Sequence, residues 1–130
     1  DQRDLDEMGG TMRLGHYKCE LKKGTLAHKA YGEKMVTERH RHRYEVNNNL
    51  RYKLTENGMV LSGFNPERDL VEIIELKDHP WFVGVQFHPE FSSTVSDPQS
   101  LFVDFVKESL KYGKDHDLTR LREEESVVNQ

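Results

Sequence analysis

Three apolar runs follow one another in the second half of the chain: MVLSGF over 59–64, LVEIIEL over 70–76 and WFVGVQF over 81–87. The connectors NPERD and KDHP are rich in turn-forming residues, and the runs themselves are dominated by branched and aromatic side chains, so the pattern predicts neighbouring strands. Only 35% of the residues are hydrophobic against 32% charged, which makes these few segments carry the fold. In WFVGVQF, Trp81, Val83, Val85 and Phe87 share one face while Phe82 on the other is also apolar. That is the pattern of a strand covered on both sides, expected at the centre of its sheet.

The first half is less regular. MRLGHYKCEL alternates Met12 and Leu14 with polar neighbours, then resumes as Tyr17, Cys19 and Leu21, which predicts a strand with a bulge at Gly15. A short helix over LAHKAY stops at Gly32, a strand runs through MVTER, and a helix near NLRYKLTEN is closed by Gly58. After the three strands, SDPQSLFVDFVKESLKYG offers Asp97 as N-cap and Pro98 at the first helical position. Leu101, Phe102, Phe105, Val106 and Leu110 fall on one face, with Gly113 beyond the end. At 130 residues the chain is about one domain, or part of one. The expected organisation is a mobile segment over 1–8, a domain over 9–112 and a charged, disordered tail over 113–130.

Charge and cysteine usage exclude several classes of function. A formal net charge of −4 gives no general attraction to nucleic acid or to an anionic membrane surface. The amino terminus is acidic where a secretory leader is basic and then greasy, and no apolar run has the length of a bilayer span. Cys19 is the one cysteine, so an intramolecular disulfide and a four-cysteine zinc site are ruled out. A cytoplasmic protein of a reducing compartment is the expectation.

Two stretches carry chemistry. In GVQFHPEF, proline keeps His88 away from helical angles at the carboxyl end of a strand, where wound α/β sheets place their ligands. In an extended segment Glu90 points to the same side and can fix the tautomer of the His88 ring, supplying base and orienter of a nucleophilic triad. The bland alternative is a histidine that ends a strand beside a solvated glutamate. The second stretch is ERHRHRYEVN, 38–47: if extended, Arg39, Arg41 and Arg43 lie on one side and His40, His42 and Tyr44 on the other. One of these guanidiniums suits a carboxylate substrate. The alternatives are a solvated basic edge, a metal site on His40 and His42 that lacks a nearby third ligand, and a phosphate patch. GGTMRLG, 9–15, is glycine-rich but has neither phosphate-loop spacing, and Cys19 lacks the flanking glycines of a nucleophile turn, so it reads as a packed thiol.

GVQFHPEF resembles the His/Glu segment of class I glutamine amidotransferases, which release ammonia from glutamine with a Cys-His-Glu triad. GGTMRLG, ERHRHRYEVN and LVEIIELKDHPWFVGVQFHPEF together narrow the likeness, from about Met8 to Tyr112, to the carboxy-terminal part of that domain in the CTP synthase family. The resemblance implies an α/β fold, a wound mixed sheet with flanking helices forming the second half of an amidotransferase domain. It implies His88 as catalytic base and acid, Glu90 as its orienter, Arg43 as a glutamine-binding residue and Tyr44 as a lesser candidate. It further implies L-glutamine as substrate and the remainder of the polypeptide as partner, bringing UTP, ATP and Mg2+ in a homotetramer. No metal or cofactor ligand is assigned within this chain. The family's nucleophile elbow of GxCxG type is absent from these residues, so the chain is expected to be a catalytically incomplete fragment. The competing readings are a non-catalytic glutamine-binding or regulatory module of the same fold, and another class I amidotransferase.

Overall fold

The structure, a computed structural model, describes residues 12–117. Strand β1 (Arg13–Leu21) leads through a turn to helix α1 (Leu26–Tyr31), then β2 (Met35–His42), helix α2 (Arg51–Glu56), β3 (Met59–Asn65), β4 (Leu70–Leu76), β5 (Val83–Val85) and helix α3 (Ser100–Asp115). The strands form one sheet in the order β2-β1-β3-β4-β5, and every described pairing is antiparallel. The α/β class, with helices flanking a sheet, is as expected. The amino-terminal segment over 1–8 and the tail from 118 onward lie outside the described residues.

Local signals placed most elements. Thr25 caps α1 by accepting from the His28 N–H, and Gly32 ends it in the left-handed region at φ 69°, where glycine escapes the Cβ penalty. The carboxylate of Glu75 on β4 accepts from the Leu26 and Ala27 N–H groups at 3.1 and 2.7 Å, satisfying two more donors of the first turn. Cys19, Leu21, Ala27, Val36, Ile73, Phe87 and Leu101 form the core, with Trp81, Val83 and Val85 packed against it.

Several expectations are corrected. The register of β1 on β2 is unbroken from Arg13↔His42 to Glu20↔Met35, so there is no bulge at Gly15. The inward positions of β1 are the odd ones throughout, and Met12 and Leu14 are exposed because a buried arginine, Arg13, occupies the inward place at that end. The register shift lies instead in β3, around Gly63, whose absent side chain leaves room for Ile73 and Cys19. WFVGVQF is not central: β5 spans three residues at the end of the strand order. Its apolar faces are covered because Trp81 meets Phe105 of α3 at 5.4 Å between ring centroids and the following segment folds onto β2.

Helix α3 begins later and ends later than its sequence suggests. Asp97 closes a turn of its own with Thr94, so Gln99 becomes the cap, accepting from the Leu101 N–H at 2.7 Å. The helix runs through Gly113 to Asp115, past the expected end of the domain at 112. Of its apolar face only Leu101 is buried, while Phe102, Phe105, Val106 and Leu110 are exposed. No helix among the described residues is long and apolar enough to cross a membrane.

Candidate active site

Strands β2 and β5 stand at opposite ends of the sheet, yet they are joined where the chain leaves β5. The Gln86 N–H donates to the Glu72 carbonyl of β4 at 2.9 Å, and the His88 N–H donates to the Arg39 carbonyl of β2, also at 2.9 Å. The sheet is therefore curled, and His88 sits at the seam. Its backbone is at φ −109°, ψ 89°, outside the helical region as the following proline demands.

Beyond the seam the chain does not stay extended. Pro89–Ser92 make a 3₁₀ turn, and across this turn His88 Nδ1 meets Glu90 Oε1 at 2.7 Å. The expected pairing of His88 with Glu90 is present, by a different backbone route. Because a carboxylate only accepts, Nδ1 carries the proton and Nε2 keeps its lone pair. Glu90 is held below the ordinary carboxylate range, first by its own backbone N–H and then by His88. The His88 side chain is 40% and that of Glu90 55% exposed, so the pair is open to solvent. Such an imidazole can take a proton from a neighbour and return it.

The turn is anchored from below by residues that sequence reasoning passed over. Ser92 Oγ donates to Glu38 Oε2 at 2.9 Å, and the other oxygen of Glu38 accepts from Tyr31 Oη at 2.8 Å and Gln99 Nε2 at 2.9 Å. Glu38 thus ties β2, α1, the cap of α3 and the turn together. Burial, then the Glu38 carboxylate, drives the Tyr31 phenol well above its usual range, so it stays a donor. The available signal was position: Glu38 falls between Val36 and His40 on the inward face of β2, where an acid needs partners.

The basic stretch divides as the alternation predicts. Arg39 and Arg41 are exposed, His40 is buried and His42 half-buried. Strand β2 ends at His42, so Arg43 and Tyr44 lie in the loop that follows, with exposed side chains, that of Tyr44 at 76%. No hydrogen bond or ion pair among the described residues joins either side chain to the His88–Glu90 pair. They are linked to it through β2, whose Arg39 carbonyl holds the His88 N–H. Cys19 is buried in the core and its thiol is pushed up to about 12, mainly by burial, as befits a packed thiol rather than a nucleophile.

This seam, with an exposed imidazole oriented by a carboxylate two residues on, belongs to a chain whose residues 1–108 match the family model for class-I glutamine amidotransferases. The chain is a member of that family. Among its relatives is the CTP synthase of Clostridium acetobutylicum, 61% identical over 107 residues that make up 82% of this chain and 20% of the relative. The CTP synthase of Salinibacter ruber is 57% identical over 118 residues, 91% of this chain and 21% of the relative. Among solved structures, the Trypanosoma brucei CTPS glutaminase domain with bound acivicin superposes with a TM-score of 0.75 at 36% identity, covering 83% of this chain and 43% of that one. The chain spans about a fifth of the length of the curated relatives it matches.

Proposed function

We propose that this chain is the base-bearing part of the glutamine amidotransferase domain of a CTP synthase. The observation that carries the reading is the 2.7 Å contact of His88 Nδ1 with Glu90 Oε1, which leaves Nε2 as the ring nitrogen not engaged by Glu90. A cysteine thiol from polypeptide outside these residues gives its proton to His88 Nε2, and the resulting thiolate attacks the side-chain amide carbon of glutamine. His88 passes a proton from Nε2 to the departing ammonia, then takes one from the water that attacks the thioester, releasing glutamate and the thiolate. Glu90 keeps Nδ1 protonated and stabilises the imidazolium. Arg43, exposed in the loop after β2, receives the α-carboxylate of glutamine, with Tyr44 as a lesser contact.

The ammonia serves the ATP-dependent amination of UTP to CTP in a synthase region that binds ATP and Mg2+; no residue of this chain is assigned to either. The exposed apolar face of α3 and the seam itself are where the remaining polypeptide packs, in a cytoplasmic homotetramer. Without the nucleophile the 130-residue chain alone turns over no glutamine. The test is the full polypeptide carrying His88→Ala: glutamine-dependent CTP formation falls by a factor of about a thousand while formation from supplied ammonia persists. Loss of both, or retention of both, contradicts the assignment.

A further inference from the structure

Inside the curl, charged groups are buried that the proposed chemistry does not use. Arg13 of β1, His40 of β2 and Glu72 of β4 are each essentially without solvent contact. Arg13 pairs with Glu72 and reaches Glu45 at 3.5 Å, with its guanidinium over the Tyr17 ring. Glu72 Oε2 lies 2.6 Å from His40 Nε2; His40 Nδ1 lies 2.8 Å from His42 Nε2; His42 Nδ1 lies 3.0 Å from the Tyr44 carbonyl. The row therefore ends in two groups that only accept, a carboxylate and a carbonyl.

The tautomers follow from the acceptors. The Tyr44 carbonyl only accepts, so His42 Nδ1 carries hydrogen. Burial holds His42 below the usual histidine range, so its Nε2 is bare and accepts from His40 Nδ1. Glu72 and Glu45 face the single guanidinium of Arg13, and Glu72 also faces His40 Nε2 without an aligned hydrogen bond.

We infer that Glu72, His40 and His42 are positioning residues: a buried relay of side chains that fixes the Tyr44 carbonyl, and with it Arg43, relative to His88. The relay reaches both sides of the site. His42 grips the loop after β2, while His40 packs edge-on against Phe87 at 5.7 Å and follows Arg39, whose carbonyl holds the His88 N–H. The groups facing it are Arg13 and Tyr17 from β1, Glu72 from β4, Glu45 from the loop and Phe87 beyond β5. This inference rests on the proposed glutamine chemistry for its functional consequence but not for its ring tautomers.

Long-range 1H–15N correlation on the histidine rings of the 130-residue chain tests the tautomers without any substitution. Expected are protonated Nδ1 on both His40 and His42 at neutral pH, with His42 Nε2 bare. A bare His42 Nδ1, or two rings carrying hydrogen on Nε2 alone, overturns the relay. In the full polypeptide, His42→Phe keeps a ring and removes both nitrogens. The KM for glutamine then rises about tenfold, the loss of one hydrogen bond, while kcat stays within about twofold. A fall in kcat with KM unchanged overturns the positioning role. Failure of the glutamine assignment would show in the His88→Ala comparison and leave the ring tautomers as described.

Discussion

The seam and the interior of the curl hold two histidine–carboxylate pairs of opposite character. His88 and Glu90 are two residues apart, exposed, and joined by one short contact across a turn. His40 and Glu72 are distant in sequence, fully buried, and shared with Arg13. An exposed pair contributes little to stability because water competes for both partners, and its value lies in orienting a nitrogen that must react. A buried pair has no such freedom: each charge depends on the others, and removing one strands the rest.

The largest effect that would sharpen this contrast is Glu72→Leu. Arg13 and His40 lose their shared counterion in the interior, and the chain is expected to lose about 3–5 kcal/mol of stability in denaturant unfolding. A loss under about 1 kcal/mol would mean that the interior charges are solvated after all. Next comes Glu38→Gln, which keeps the shape of the anchor beneath the turn but weakens the bonds from Ser92 and Tyr31. About 2 kcal/mol is expected, with increased mobility of residues 89–92 in hydrogen exchange.

The smallest effect belongs to the seam. Glu90→Gln should leave the unfolding midpoint unchanged while releasing the His88 ring, seen as a loss of the Nδ1–H signal. The pH dependence follows from Glu90 lying below the ordinary carboxylate range. A depressed carboxylate keeps its contact as pH falls through that range and loses it only below, when the folded form is protonated. Titration of the His88 and Glu90 resonances checks this; separation of the pair at an ordinary carboxylate midpoint contradicts it.

The same contrast explains what could be read in the sequence. HPEF was legible because its geometry is local: a proline restricts the residue before it, and the acid is two positions on. Gly32 was legible as the end of α1 for the same reason. Non-local facts were hidden. Nothing in MRLG says that Arg13 turns inward, because its justification is Glu72, a residue of another strand. LVEIIEL read as an apolar strand, and both its glutamates are buried with separate tasks, Glu72 in the relay and Glu75 at the start of α1. Apolar faces on WFVGVQF suggested a central strand, since alternation reports burial but not which element does the covering. The curl, which brings β2 round to the end of β5, supplies that cover. The helix start moved from Asp97 to Gln99 because a side chain that both caps and reaches Glu38 outcompetes a better cap with no such link.

A structure of the full polypeptide with an electrophilic glutamine analogue bound covalently to its cysteine tests the central claim most directly. His88 Nε2 is expected at about 3–4 Å from the adducted sulfur, with Nδ1 still on Glu90 and the Arg43 guanidinium on the carboxylate of the analogue. A ring turned from the sulfur, or a Glu90 that has left Nδ1, would contradict it.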